Sequence, residues 1–258
     1  MDILDELSRQ AVDRLERGYY RGRKNEERNS NGSFAEAIAA APATPVVAEI
    51  KPRSPTEGKL FSGPIETLAT TYVEGGATGF SVLTDPDNFG GGLCSMGAVA
   101  SLGLPVLMKD FVVSPTQIRS GVAWGASAIL LIHRLFSRGF TEMTLEEAIN
   151  IAHQLNLEVL LEVNDGEEYR IALESEADMI GINNRDLRTM KVDLNTTVSI
   201  LSEFEKDRIV WSLSGIKSGE DIAFLRKAGA EVFLVGTALL KSDEPAGLLS
   251  SMVGVEDG

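Results

Sequence analysis

Charged residues recur at the ends of short apolar runs in this chain, where they could carry out acid–base chemistry. The first run ends in Val47-Ala48-Glu49-Ile50-Lys51, and the alternation of a strand places Glu49 and Lys51 on one face. Lys109 and Glu162 end two later runs in the same way. Lysine and glutamate side chains that crowd one site can have their pKa values shifted towards neutrality, which general acid–base catalysis requires.

Two further polar residues occupy equivalent positions: Asn183 and Arg185 stand at the end of another apolar run. Any one of these six residues could instead be a solvated residue at the point where a strand stops. The set as a whole indicates a site, since each member directly follows an apolar run and buried charges need partners.

Eight short apolar or β-branched runs supply these ends, and helical patterns separate most of them. The clearest helix places Ile65, Leu68, Ala69, Tyr72 and Val73 on one apolar stripe. Strands that alternate with helices pair in parallel, and eight such units close into an α/β fold, the (β/α)8 TIM barrel. An open doubly wound sheet is the alternative, but it usually has fewer strands and an early GxGxxG turn, which this chain lacks. The predicted strands are Val46–Ile50, Gly79–Thr84, Val106–Lys109, Ala128–Ile132, Glu158–Val163, Met179–Asn183, Ile209–Leu213 and Glu231–Val235.

A helical extension is predicted in front of the barrel over residues 1–45, within a single domain of residues 1–258. The segment from Asp2 to about Arg17 carries apolar residues four apart, as one face of a helix does. Ser33-Phe34-Ala35-Glu36 has the form of a capping box for a second helix. The stretch between them is polar and without periodicity, and it predicts a linker.

Small and hydroxyl residues follow the last two predicted strands. Ser214-Gly215 comes after the seventh strand and Gly236-Thr237 after the eighth. Such residues let a ligand approach the backbone N–H groups at the start of the next helix, and barrels usually bind phosphate at these two strands. Serine and glycine are common in turns, so it is the coincidence of both loops that predicts a phosphate site.

The composition restricts the partners that this chain can have. Its 38 acidic and 24 basic residues give a net charge of −14. An acidic surface repels phosphate backbones, so we expect neither a nucleic-acid nor a membrane partner, although a locally basic pocket can bind a small anion. The single cysteine, Cys94, excludes an intramolecular disulfide and a Cys-rich zinc module. No apolar run reaches the roughly 18 residues that span a bilayer, and no signal peptide is evident, so we expect a cytoplasmic protein.

Five long segments occur in the order that is typical of one enzyme family. They are Glu49-Ile50-Lys51-Pro52-Arg53-Ser54-Pro55, Leu104-Pro105-Val106-Leu107-Met108-Lys109-Asp110-Phe111, Leu161-Glu162-Val163-Asn164, Gly181-Ile182-Asn183-Asn184-Arg185-Asp186-Leu187 and Ser214-Gly215-Ile216. On these segments the chain resembles indole-3-glycerol phosphate synthase of tryptophan biosynthesis, over nearly its whole length. That family converts 1-(2-carboxyphenylamino)-1-deoxyribulose 5-phosphate into indole-3-glycerol phosphate and releases carbon dioxide and water. The resemblance implies a phosphorylated small-molecule substrate and no metal or organic cofactor.

The resemblance also implies roles for individual residues. Lys109 corresponds to the general acid that protonates the substrate's carbonyl oxygen, and Glu162 to the acid/base of the later dehydration. Lys51 corresponds to a lysine that binds the substrate and assists the acid, with Glu49 as its charged neighbour. The remaining positions fall into three groups: Asn183 and Arg185 for polar groups of the substrate, Lys51, Ser54, Ser214, Gly215, Gly236 and Thr237 for the phosphate, and Phe89, Phe111 and Leu131 for the apolar wall.

One position departs from the family's pattern, because Leu213 stands where the family usually has glutamate before Ser-Gly-Ile. We therefore expect altered electrostatics near Lys51 or Lys109 and slower catalysis. The alternative is a catalytically impaired barrel that binds a phosphate ligand as a binding or regulatory subunit. The isomerase that precedes the synthase in the pathway fits less well, because it would need a cysteine base and an aspartate acid at strand ends. A monomer or a weak homo-oligomer is expected.

Overall fold

Ten strands form the sheets of the computed structural model, which describes residues 2–21 and 32–255. The strands are β1 (Val46–Ile50), β2 (Arg53–Ser54), β3 (Gly58–Lys59), β4 (Gly79–Leu83), β5 (Val106–Lys109), β6 (Ala128–Ile132), β7 (Glu158–Val163), β8 (Met179–Asn183), β9 (Ile209–Leu213) and β10 (Val232–Val235). Eight of them pair in parallel around a closed barrel, in the order β1-β4-β5-β6-β7-β8-β9-β10 and back to β1. The predicted TIM barrel is therefore confirmed. The two short strands β2 and β3 form an antiparallel hairpin that follows β1.

Twelve helices lie in the described residues; two precede the barrel, and most of the others alternate with its strands and pack against its outer face. They are α1 (Ile3–Glu16), α2 (Phe34–Ala39), α3 (Ile65–Glu74), α4 (Leu93–Ala100), α5 (Pro115–Ala123), α6 (His133–Ser137), α7 (Leu145–Gln154), α8 (Gly166–Leu173), α9 (Asn195–Glu203), α10 (Gly219–Lys227), α11 (Thr237–Lys241) and α12 (Pro245–Val253). Over residues 2–21 and 32–255, none of these helices is long and apolar enough to cross a membrane.

The strands divide the apolar residues between an inner and an outer core, because successive side chains of a strand point to opposite faces. In β1, Val47 packs inside the barrel, whereas Val46 and Ala48 pack between the barrel and the helices. The same alternation turns Glu49 inwards, above Val47. The polar residues at the strand ends therefore continue the inner core towards the carboxyl end of the barrel, where active sites of this fold lie.

Helix α1 begins as the sequence predicts and packs against the barrel. Asp2 is its N-cap and forms a capping box with Asp5, which satisfies free N–H groups of the first turn. Leu4, Leu7 and Ala11 are buried in the inner core, so the apolar face of the helix covers the mouth of the barrel. This extension is thus confirmed as helical at its start.

Helix α2 closes the opposite end of the barrel, and one detail of its predicted cap is wrong. Ser33 accepts a hydrogen bond from the Glu36 amide, as expected, but the other free amides of the helix start donate to Glu158 at the beginning of β7. A distant carboxylate therefore caps the first amides of α2, and the helix start does not form the predicted capping box. Phe34 fills the barrel end, with its ring centroid 5.2 Å from that of Trp211.

The predicted linker between the two helices lies mostly outside the described residues, which exclude 22–31. Its first residues are not solvent-exposed loop, because Tyr20 is only 2% exposed. The charged neighbours in the sequence conceal this burial: the tyrosine ring packs in the outer core, and its hydroxyl is held by polar partners.

Candidate active site

A cavity of about 870 Å³ opens at the carboxyl end of the barrel. It brings together the residues that the sequence predicts for the site, with one exception. The predicted residues that line it are Glu49, Lys51, Ser54, Phe89, Lys109, Phe111, Glu162, Asn183, Arg185, Ser214, Gly215, Gly236 and Thr237. With Leu130 and Ile132 of β6 and with residues of helix α1, all eight barrel strands or the residues that directly follow them contribute to one cavity.

The exception is Leu131, which was expected in the apolar wall and is not there. Leu131 lies in the outer core, whereas its neighbours Leu130 and Ile132 line the cavity. The reason is the two-residue period of β6: the strand turns alternate side chains inwards, and Leu131 falls on the face that packs against the helices. The residues of β6 that form the apolar wall are therefore Leu130 and Ile132, one position to either side of the predicted Leu131.

The Glu49–Lys51 pair forms one half of the charged floor. The Lys51 Nζ atom lies 2.6 Å from Glu49 Oε1, and the Glu49 side chain is only 6% exposed. Burial opposes ionisation of Glu49, but the positive charges of Lys51, Lys109 and Arg185 outweigh it and hold its pKa below the usual range. Glu49 is therefore a carboxylate among cations, and it balances their charge.

Glycine at position 236 is required by this carboxylate. A Cβ atom on Gly236 would lie 2.6 Å from Glu49 Oε1, closer than any stable contact. The loop after β10 can therefore approach the charged floor only because it carries no side chain at this point.

The Lys109–Glu162 pair forms the other half of the floor. The Lys109 Nζ atom lies 3.6 Å from Glu162 Oε2, and the Glu162 side chain is 2% exposed. Asn183 Nδ2 donates a 2.9 Å hydrogen bond to Glu162 Oε1, so the two oxygens have separate partners. A buried carboxylate beside an ammonium can exchange a proton with it once the two atoms approach to hydrogen-bond reach, about 2.6–3.2 Å, or through one bridging water.

Asn183 is itself held in place by backbone and side-chain partners. The amide N–H of Arg185 donates to Asn183 Oδ1 over 3.0 Å, which fixes the orientation of the side-chain amide. Asn164 Nδ2 donates to the carbonyl oxygens of Asn183 and Arg185, at 3.2 and 3.0 Å. Asn164 belongs to one of the segments on which the family resemblance rests, but the sequence predicts no role for it. The feature that could have identified it is its position as a polar residue directly after a strand.

The apolar side of the cavity is built by two strand-end loops and by helix α1. Phe89 and Phe111 are stacked, with ring centroids 6.2 Å apart and an angle of 27° between the planes. Ile3 and Leu7 of α1 line the same cavity. The sequence predicts the apolar helix face but not its position, because spacing shows which residues share a face and not what they contact.

The loop after β9 has a backbone suited to an anion. Ser214 and Gly215 have φ values of +66° and +90°, and successive backbone N–H groups in such a turn can form a concave site for an anion. A Cβ on Gly215 would lie 2.4 Å from Val192 Cγ1, so glycine is needed there as well. Asn184 Nδ2 donates to the carbonyl oxygens of Leu213 and Ser214, at 3.0 and 3.2 Å, and holds the loop.

Two further loops complete this polar side. Helix α11 begins at Thr237 with Gly236 as its N-cap and without a side-chain cap, so its first N–H groups have no intrahelical partner. Ser54 lies on the hairpin that follows β1, and its Oγ is 3.0 Å from Thr56 Oγ1. Hydroxyl and N–H donors thus border the cavity on the side of Lys51.

Leu213 occupies the position where the resemblance leads one to expect glutamate. Its side chain is fully buried in the inner core and does not line the cavity. Its Cδ1 atom lies 2.9 Å from the place where a Cβ on Gly181 would stand. The leucine therefore contributes packing next to the strand that neighbours Glu162, and no charge.

Within residues 2–21 and 32–255, no group of three or more histidine, cysteine or carboxylate side chains is arranged to hold a metal ion.

Comparisons with solved structures agree on the barrel. The chain is similar to thiamine phosphate pyrophosphorylase from Pyrococcus furiosus, with a TM-score of 0.59, 16% sequence identity, and coverage of 82% of this chain and 94% of that one. A structure titled native KDPGal has a TM-score of 0.56 at 17% identity and covers 81% of this chain and 92% of that one. Identity at this level shows the fold alone.

Comparisons with known sequences identify the family. The family model for indole-3-glycerol phosphate synthase matches residues 5–251. The synthase of Methanopyrus kandleri is 34% identical over 256 residues, which are 97% of this chain and 97% of that protein. The synthase of Aquifex aeolicus is 39% identical over 233 residues, which are 89% and 88% of the two chains. The chain therefore belongs to the indole-3-glycerol phosphate synthase family, the decarboxylating lyases of tryptophan biosynthesis.

Proposed function

We propose that this protein converts 1-(2-carboxyphenylamino)-1-deoxyribulose 5-phosphate into indole-3-glycerol phosphate by general acid–base catalysis. The observation that carries the proposal is the Lys109–Glu162 pair, with its 3.6 Å separation, inside a cavity that also has an aromatic wall and a rim of anion-binding donors. Membership of the synthase family supports the same reaction.

Ring closure is the step that needs an acid. The ring carbon that bears the carboxylate attacks the carbonyl carbon of the sugar chain, and the Lys109 ammonium donates a proton to the carbonyl oxygen, which becomes a hydroxyl. The carboxylate then leaves as carbon dioxide, and its bonding electrons restore the aromatic ring. An ammonium that is 17% exposed and lies at the wall of the cavity has access to such an oxygen.

Dehydration is the step in which Glu162 acts. The hydroxyl formed in the first step leaves as water, and the neighbouring carbon loses a proton to complete the indole. We assign proton transfer in this step to Glu162, whose orientation is set by Asn183 and whose second oxygen faces Lys109. Glu162 takes the proton from the neighbouring carbon and gives it to the departing hydroxyl, so it ends the step as a carboxylate. Lys109 regains from solvent the proton that it donated in ring closure.

The phosphate is proposed to bind at the polar rim. Lys51 supplies a positive charge, Ser54, Ser214 and Thr237 supply hydroxyl groups, and the loops at Gly215 and Gly236 supply backbone N–H groups. Arg185 and Asn183 would hold the polar groups of the sugar chain. The aminobenzoate ring would then lie against Phe89 and Phe111, where its carboxylate leaves water, which favours decarboxylation.

The wider setting follows from this reaction. We propose that the chain acts as one domain, because α1 lines the cavity that the barrel forms. A phosphorylated small molecule is its proposed substrate, and the net charge of −14 makes nucleic acid an improbable partner. A cytoplasmic monomer or weak homo-oligomer is consistent with an enzyme of amino-acid biosynthesis.

A fluorescence assay tests the proposal. Purified protein is incubated with the substrate, and formation of the indole product is followed. We expect turnover in the wild type and its loss in Glu162→Gln, which keeps the shape of the side chain and removes the base. Glu174→Gln is the control, since Glu174 pairs with Arg170 on an exposed helix end. Binding of the substrate without product would refute the proposal and favour a barrel that has lost catalysis.

A further inference from the structure

A buried network of charged groups lies beside the catalytic lysine and has no role in the reaction proposed above. Its centre is Arg14 of helix α1, whose side chain is 1% exposed. The Arg14 Nη2 atom donates to Asp110 Oδ1 over 3.2 Å, Nη1 lies 3.1 Å from Asp85 Oδ2, and Nε donates to the Tyr20 hydroxyl over 3.1 Å. The two carboxylates are 0% exposed, so one guanidinium joins three buried groups from three segments of the chain.

Asp110 fixes the end of the strand that carries the proposed acid, since it directly follows Lys109. Its Oδ2 accepts 2.7 Å hydrogen bonds from the hydroxyl groups of Tyr20 and Thr84. Its Oδ1 accepts from the amide N–H of Phe111 over 2.8 Å, in addition to the guanidinium. With four donors around one carboxylate, the residues on either side of Asp110 have little freedom to move.

Asp85 organises the loop that carries the other half of the aromatic wall. Its Oδ1 accepts hydrogen bonds from the amides of Asp87 and Asn88, at 2.8 and 2.9 Å, and its Oδ2 accepts from Asn88 Nδ2 at 2.9 Å. Phe89 follows directly. The guanidinium therefore connects the loop of Phe89 to the strand end of Lys109 and Phe111.

We propose that Arg14 is a positioning residue for the reaction, which sets the place of Lys109 relative to the Phe89–Phe111 wall. This inference rests on the proposed function. A guanidinium presents planar donors in fixed directions, so it defines the geometry between its partners as a lysine cannot. A displacement of about 1 Å between an acid and its substrate can lower the rate of the chemical step by about 100-fold.

A contribution to folding stability does not by itself explain why these charged groups are buried together. Buried ion pairs are costly to desolvate, and replacing them with well-packed apolar residues is often neutral or stabilising. Here the network joins the two segments whose aromatic rings meet in the cavity, 6.2 Å apart between centroids. Its placement therefore fits a requirement for geometry at the site better than a requirement for folding.

The test uses two mild variants of the full chain and a matched control. Arg14→Lys keeps the positive charge between Asp85 and Asp110 but loses the planar fork. Tyr20→Phe removes the hydrogen bond to Asp110 and the one accepted from Arg14 Nε, and it keeps the ring. Arg138→Lys is the control: Arg138 donates to Asp2 over 2.7 Å at the other, more exposed end of α1. For each, kcat, KM, Tm and the affinity for inorganic phosphate are measured at a temperature where the protein is folded.

We expect kcat to fall by about tenfold or more in Arg14→Lys, and by a smaller factor in Tyr20→Phe, with KM and phosphate affinity within about threefold of the wild type. Arg138→Lys should keep the wild-type kcat. The inference is overturned if the two network variants lower Tm while kcat stays at the wild-type value, or if only KM rises. A wild type without turnover would instead refute the proposed function, and the inference with it.

Discussion

Glu162 shows how one carboxylate is prepared for a task by its neighbours. One oxygen accepts from Asn183, and the other faces the Lys109 ammonium at 3.6 Å, so only the second oxygen lies beside the proposed acid. The position that could add a second carboxylate nearby, 213, carries leucine. Leu213 lies over Gly181, which has no side chain, and Gly181 pairs in register with Glu162, so one strand separates position 213 from Glu162.

Leu213→Glu tests this electrostatic difference at the scale of one residue. A carboxylate at position 213 would bring a second negative charge into the barrel interior, and like charges there disfavour ionisation. We expect the acid limb of the profile of kcat against pH to move up by about one pH unit. Leu213→Gln, which has a similar shape and no charge, should leave that limb in place. An acid limb that does not move in folded Leu213→Glu would contradict the account.

At the scale of elements, helix α1 is a wall of the site as well as a packing element. Leu7 is 3% exposed and lines the cavity together with Ile3. Leu7→Ala should raise KM by about tenfold through lost contact with the substrate ring, while the affinity for inorganic phosphate is unchanged. The variant should also be less stable by about 2 kcal/mol or more.

Steady-state kinetics and phosphate titration would check this. Val12→Ala is the matched control, because Val12 is 40% exposed on the same helix. An unchanged KM in Leu7→Ala would show that α1 covers the barrel without contacting the substrate.

The strands were predictable from the sequence because their signals are local. Apolar runs with turn residues between them place every barrel strand to within about one residue of its observed bounds. The charged strand ends also converge as predicted, since parallel strands of a barrel end on one side. When every residue of a strand is apolar, the sequence does not show which alternate side chains point into the barrel. The prediction for Leu131 is wrong for this reason.

Contacts between distant segments could not be predicted in the same way. Glu158 caps α2 from more than 100 residues away, a distance over which spacing carries no signal. Tyr20 lies in a polar stretch that resembles a linker, and its burial depends on Asp110 from another unit. The buried polar network was missed for the same reason.

At the scale of the whole molecule, the charged floor links stability to pH. The pKa of Glu49 lies below its ordinary value of 4.5 in the folded protein, because Lys51, Lys109 and Arg185 outweigh the effect of burial. Ionised Glu49 therefore stabilises the fold above about pH 4.5, and this stabilisation is lost as the pH falls through the lower, folded pKa.

Urea unfolding at pH 7 and at pH 3.5 would measure this contribution. Glu49→Gln should be less stable than the wild type at pH 7, and the difference between the two proteins should shrink at pH 3.5. A stability difference that is the same at both values would mean that Glu49 contributes shape and not charge. Glu174→Gln, on an exposed helix end, should show no such dependence.

The most direct test of the central claim measures carbon dioxide and indole-3-glycerol phosphate together in one reaction. The account predicts that the wild type releases the two products in equal amounts from the carboxyphenylamino substrate. Lys109→Met should form neither product and still bind inorganic phosphate, because the acid is removed and the polar rim is kept. Turnover in Lys109→Met at the wild-type rate, or tight substrate binding by the wild type with no release of either product, would contradict it.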